Sequence, residues 1–167
     1  REIRRIGVCV RAGEPDARLF LEEIRAMALK QGADVLRLEA SDPSALSRAL
    51  SEAGPAVDAF YLSCDELMQG DGAEVVIDYA TPRSIPILSC GARAIEKGAL
   101  SGAVVDEELT GRMAGAHAAQ ILSGRAPTSL QTLTANPPRL LINRSAARAL
   151  GTRIPPTFMG EEVSVYE

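Results

Sequence analysis

The stretch "RIGVCVRAGEPDARLFLEEIRAMALKQGADVLRLEA", residues 5–40, decides the fold. It opens on "RIGVCV" (5–10), a short apolar run that reads as a buried strand. The segment after it places Phe20, Ile24, Met27 and Ala28 on one face at helical spacing, with Gly32 as a C-terminal stop. "DVLRLEA" (34–40) is a second strand. A strand, a helix and a strand in succession predict a right-handed βαβ unit with its two strands parallel.

The alternation continues outward. "SDPSALSRALSEAG" predicts a helix capped by Ser41 or Asp42, with Pro43 in its first turn and Gly54 at its end. Strands are expected at 57–63, 85–89 and 99–105, and helices at 71–80 and 106–124. The last of these helices is rich in Ala and Gly, which suggests close packing. The strands are apolar nearly throughout, as strands covered on both faces are. The expected fold is therefore α/β, a doubly wound parallel sheet of order 2-1-3-4-5. Its ligand crevice should lie at the carboxyl ends of the strands, along the loops "RAGEPDA", "SCDELM" and "SCGARAIEKG". After Gly124 the chain reads as an extended Pro/Ser/Thr-rich connection, then a strand at 139–143 and a short helix stopped by Gly151. Residues 1–130 thus form an expected α/β ligand-binding lobe, and 131–167 a C-terminal connection with one short strand and helix.

Composition narrows the function. The chain has 167 residues, one domain by size, with 46% apolar and 24% charged residues. A net charge of -4 with scattered basic residues argues against nucleic acid. The opening "REIRR" reads as a solvated entry to the first strand. No apolar run approaches the roughly 18 residues that span a bilayer, and any targeting segment is expected upstream of residue 1.

The candidate chemistry centres on "YLSCDELMQ" (61–69), where Cys64 stands beside Asp65 and Glu66. A nucleophilic thiol wants a base, and the one histidine, His117, is expected in the long helix, far from the strand ends. Cys64 therefore reads better as a pocket wall than as a nucleophile. Cys90 closes the fourth strand, so Cys64 and Cys90 are expected near each other, yet no C-x-x-C is present. Three cysteines without metal-ligand spacing do not read as a disulfide framework or a metal site. Asp65 is a helix cap or a ligand contact. Glu14 is a ligand contact or a carboxylate favoured by the following helix start. "RAGEPDA" has one glycine where a dinucleotide fingerprint has three, so no nucleotide cofactor is expected.

The end of the chain, "LLINRSAARALGTRIPPTF", resembles the closing segment of the ABC transporter substrate-binding protein family found with tryptophan- and tyrosine-transport operons. "RRIGVCVRAGEPDA" is similar to the family's first strand and its loop Glu. "VDAFYLSCDELM" places Asp65 on a shared Asp, and "SIPILSCGARAIEKGAL" matches at Pro86 and Gly98. "VVDEELTGRMAGAHAAQILSGRAP" matches at Asp106, Gly111, Arg112 and Gly124. The chain departs from the family at Cys64 and Glu66, at Cys90 and Gly91, and at Glu107 and Glu108, which replace a Tyr pair.

The resemblance implies a type I periplasmic-binding fold in which two lobes close on a small solute such as an amino acid. This chain would be the second lobe and C-terminal end. It also implies a periplasmic or extracytoplasmic location and an ABC permease as partner, with the N-terminal lobe completing the cleft. A homodimer stays open. The ligand-binding residues expected on this reading are Glu14, Asp65, Cys90 and Asp106, with no catalytic group and no metal. Two alternatives stand beside it. One is the ligand-sensing domain of a signalling or regulatory protein. The other is a small-molecule enzyme using a cysteine at the strand ends.

Overall fold

The computed structural model describes residues 2–53, 56–133, 138–158 and 163–166. A seven-stranded sheet of order β2-β1-β3-β4-β5-β6-β7 forms its centre. The strands β1 (Arg5–Arg11), β2 (Asp34–Ala40), β3 (Ala59–Leu62), β4 (Ile87–Ser89) and β5 (Ser101–Val104) pair in parallel, in the 2-1-3-4-5 order expected from the sequence. β6 (Arg139–Asn143) then joins β5 antiparallel, and β7 (Val163–Tyr166) joins β6 in parallel. Parallel strands put their carboxyl ends on one edge, so the loops after β1, β3, β4 and β5 all emerge there.

The pleat of β1 sorts the core into two layers. Val8 and Val10 pack with Ala17 and Leu21 of α1 (Ala17–Lys30), with Phe20, Ile24 and Tyr61 against them. Cys9, between them in sequence, points to the other face. There it joins Phe60 and Leu62 of β3, Leu46 and Leu50 of α2 (Pro43–Ala53), and Val76, Ile77 and Ala80 of α4 (Asp71–Ala80). Within α1 the buried side chains are Ala17, Leu21 and Ala28, while Met27 is exposed. The expected apolar face was thus displaced at one position, because Leu21 and not Met27 lies on the stripe that meets β1. Asp42 caps α2 by accepting the Ala45 N–H at 2.9 Å. Gly54, its expected end, lies outside the described residues.

Two short helices sit where the sequence reads as loops: α3 (Glu66–Gln69) and α5 (Ala92–Lys97). Gly102 is required where β5 crosses β4, since a Cβ there would collide with the Ser89 carbonyl. The C-terminal segment packs on this same sheet. Asn143 is buried between β6 and α7 (Arg144–Ala149). Its Nδ2 donates to the Ile95 carbonyl at 2.7 Å, and its Oδ1 accepts the Ala146 N–H at 2.8 Å, capping α7. Gly151 ends that helix with φ +63°.

The long helix α6 (Glu107–Leu122) behaves differently. None of its residues is buried. Only Leu109, Met113, His117 and Gln120, one stripe at helical spacing, are half-covered. The close packing expected of its Ala and Gly residues is not made within the described residues: Gly111, Ala114, Gly115 and Ala118 face outward.

Candidate functional site at the carboxyl edge of the sheet

The loop after β3 is built around Asp65. Its Oδ2 accepts the Arg11 N–H at 2.6 Å and the Ser63 hydroxyl, and its Oδ1 accepts the Met68 N–H at 2.9 Å. The carboxylate therefore caps α3 and ties the end of β1 to the end of β3 in one arrangement. Glu66, next along, turns outward and pairs with Arg11 Nη1 at 2.8 Å. The two adjacent carboxylates face different partners, which removes an acid–base pair between them.

Cys64 and Cys90 form a disulfide with their Cα atoms 5.7 Å apart, inside the usual range. The cysteines did not read as a disulfide framework, and these two nevertheless form one bridge. β3 and β4 are adjacent parallel strands whose last pair is Leu62 with Ser89; Cys90 is one residue past that pair and Cys64 two, and neighbouring strand ends are close enough to bridge. The expectation that they lie near each other holds. Cys9, the third cysteine, is fully buried, and desolvation, with Asp65 nearby, pushes its thiol well above the ordinary range. Among the described residues no free thiol stands at the strand ends. Nor do the described residues contain a group of three or more His, Cys, Asp or Glu that could hold a metal.

Two depressions open along this edge. One, of about 230 Å³, is lined by Glu14, Asp16, Phe20, Ser63, Cys64 and Asp65 among others. Phe20 and Tyr61 form the aromatic base beside it, with ring centroids 5.6 Å apart, and burial pushes the Tyr61 phenol up. The other, of about 500 Å³, is lined by Gln69, Arg93, Glu96, Asp106, Glu107 and Arg139 among others. Asp106 caps α6 through the Leu109 N–H at 2.9 Å and lies 3.4 Å from Arg139 Nη2. The structure thus brings Glu14 and Asp65 together and gives Asp106 a separate depression. Cys90 is placed between them through its bridge, and α3 runs from the rim of one depression to the rim of the other. Arg93, Glu96 and Arg139 were missed in the sequence. Arg139 could have been suspected only from the antiparallel return of β6, which brings its first residue to the same edge. A third depression, of about 210 Å³ under residues 152–158, lies at the opening of β5 and away from this edge.

The comparisons with known proteins agree with this geometry. The pattern of the family described as ABC transporter substrate binding protein matches residues 2–166. The chain belongs to that family. A curated relative, the tyrosine-binding protein of Clostridioides difficile (strain R20291), is 24% identical over 147 residues, which are 88% of this chain and 42% of the relative. A conserved domain protein from Vibrio cholerae superposes with a TM-score of 0.85 at 25% identity, covering 99% of this chain and 55% of the other. An ABC domain in complex with L-Trp from Streptococcus pneumonia has a TM-score of 0.84 at 22% identity, covering 99% and 57%. This substrate-binding protein chain therefore spans about half the length of the proteins it matches. No helix among its described residues is long and apolar enough to cross a membrane.

Proposed function

We propose that this chain is one lobe of the solute-binding component of an ABC-type uptake system and performs no catalysis. A small solute, an amino acid or a close analogue, is held between the carboxyl edge of this sheet and a second lobe. The bound solute favours the closed arrangement, which a permease reads. The observation that carries the reading is the gathering of Glu14, Asp65, the Cys64–Cys90 bridge and Asp106 on that one edge. Their roles divide by what each already bonds. Asp65 spends both oxygens on the protein, so it shapes the rim. Glu14 makes no side-chain hydrogen bond or ion pair among the described residues, so it is the carboxylate available to an ammonium group.

Two further features support a two-lobed, extracytoplasmic protein. α6 buries none of its residues, as expected of a helix whose neighbour belongs to another body. A disulfide persists in oxidising compartments. The test is thermal unfolding of the full-length protein with a panel of amino acids, L-Trp and L-Tyr included. A solute present at 100 times its Kd should add about 2.7 kcal/mol to stability. Glu14→Gln should weaken the best solute about tenfold, the loss of one charge-assisted hydrogen bond. A flat response across the panel would count against the reading.

A further inference from the structure

The Cys64–Cys90 bridge joins two turns that are held by very unequal means. The β3–α3 turn has its own anchors: the Asp65 carboxylate takes three hydrogen bonds from Arg11, Ser63 and Met68, and the Ser63 N–H reaches the Cys9 carbonyl at 3.2 Å. The β4–α5 turn has less besides the bridge, although Cys90 Sγ also lies 3.8 Å from the Leu62 carbonyl of β3. Its Gly91 N–H donates to Ser89 Oγ at 3.1 Å, and Gly91 lies flush under the Gln69 side chain. Further along, α5 is fixed again by Ala94 and Ile95 in the core and by Asn143 on the Ile95 carbonyl. The weak stretch is thus confined to the residues around Cys90 and Gly91. It lies between the two depressions, and Gln69, resting on it, lines the larger one.

We propose that the bridge is a redox-sensitive strap: oxidised, it makes the two turns one rigid rim; reduced, it frees the β4–α5 turn and leaves the β3–α3 turn in place. This rests on the reading of that edge as the solute site. Cys64 is the exposed partner and Cys90 is half-buried, so the entering thiol attacks Cys64 Sγ. The co-reactant is a dithiol. Its first thiolate bonds to Cys64 Sγ as the S–S bond breaks and Cys90 leaves as thiolate. Its second thiolate then closes on the first sulfur, and Cys64 leaves as thiolate. Two electrons pass to the bridge, the dithiol becomes a cyclic disulfide, and its two protons end on Cys64 and Cys90. Cys9 takes no part, because it is fully buried behind the sheet.

Hydrogen exchange read by mass spectrometry on the full-length protein, oxidised or treated with dithiothreitol, tests this without any solute. Reduction should add two alkylatable thiols per chain. Exchange in the residues around Cys90 and Gly91 should speed up several-fold, with residues 61–69 unchanged. The double variant Cys64→Ser/Cys90→Ser should show the reduced pattern in both conditions. Equal loosening of both turns, no change in either, or a reduced protein without the two new thiols would overturn the strap. Because this readout needs no ligand, a failed solute panel leaves it intact. If a solute does bind, its affinity should differ at least threefold between the oxidised and reduced protein.

Discussion

Helices α4 and α6 are both rich in small residues, yet they end in opposite situations. In ten residues α4 buries Gly72, Ala73, Val76, Ile77 and Ala80, and Gly72 sits so close to the Leu67 carbonyl that a Cβ would lie 2.6 Å from it. In sixteen residues α6 buries none. Small residues permit a close approach but do not create one. What makes α4 pack is the alternation of β3, which turns Phe60 and Leu62 toward it. Beyond Val104 the sheet turns back through β6, and among the described residues α6 buries no side chain against it. Most helical stability in proteins comes from such packing rather than from propensity. The contrast therefore divides the molecule into a self-sufficient half and a half whose long helix buries none of its residues.

The largest effects should fall on the self-sufficient half. Phe60→Ala removes a fully buried ring that meets Tyr79 edge-on at 6.0 Å, and should cost about 3–5 kcal/mol in urea unfolding. Met113→Ala on the half-covered stripe of α6 should stay within about 0.5 kcal/mol in residues 1–167 alone. Comparable losses at the two sites would mean that α6 is packed after all. On the proposed two-lobed reading the Met113 cost should rise in the longer protein, and an unchanged cost there would count against a second lobe on α6.

A smaller effect separates rim from core within the packed half. Asp65→Ala leaves the Arg11 and Met68 amides without their acceptor, and should cost about 2 kcal/mol, one cap and one further lost hydrogen bond. Glu14→Gln, only a few ångströms of lining away, should leave the unfolding midpoint nearly unchanged while weakening solute. If Asp65→Ala were neutral and Glu14→Gln destabilising, the division of labour between them would be reversed.

The unequal halves also explain what the sequence disclosed. β2 and β6 were legible to the residue, because each is a short segment with apolar residues set off by the turn residues around it. The 2-1-3-4-5 order followed from the alternation of strands with helices. The turns α3 and α5 were not legible: four and six residues are too few to display a helical period. β7 carries no signal beyond a single alternating tetrapeptide. The disulfide was missed because an odd cysteine count says nothing about which two meet, and only the parallel register of β3 and β4 brings Cys64 beside Cys90. Glu14 and Asp65 were placed on the right edge from the loop positions alone. Their different duties needed the hydrogen bonds, since a capping carboxylate and a free one look alike in sequence.

The smallest effect concerns charge and sharpens the same contrast. Glu74 on α4 is paired with Lys97 and, at 3.5 Å, with Arg93 of α5, a tie between two elements. Among the described residues Glu108 on α6 pairs only with Arg112, one turn along its own helix. The hydrogen bond and charge of Lys97, and then the charge of Arg93, lower the Glu74 carboxyl below the ordinary value of about 4.3. A lowered folded value means the unfolded chain takes up the proton first. The contribution is then fully present above the unfolded value and is lost as pH falls through the folded one. Glu74 is exposed and solvent screens the pair, so the effect is a change of slope rather than a large loss. Melting temperature followed from pH 7 to pH 3 should fall less steeply in Glu74→Gln than in the parent. At pH 7 Glu74→Gln should lower the melting temperature slightly, while Glu108→Gln should leave that of residues 1–167 unchanged, because a pair within one uncovered helix ties nothing to the cooperative core. Equal losses in both variants at pH 7 would show that α6 unfolds together with α4, and the boundary between the two halves would have to be drawn elsewhere.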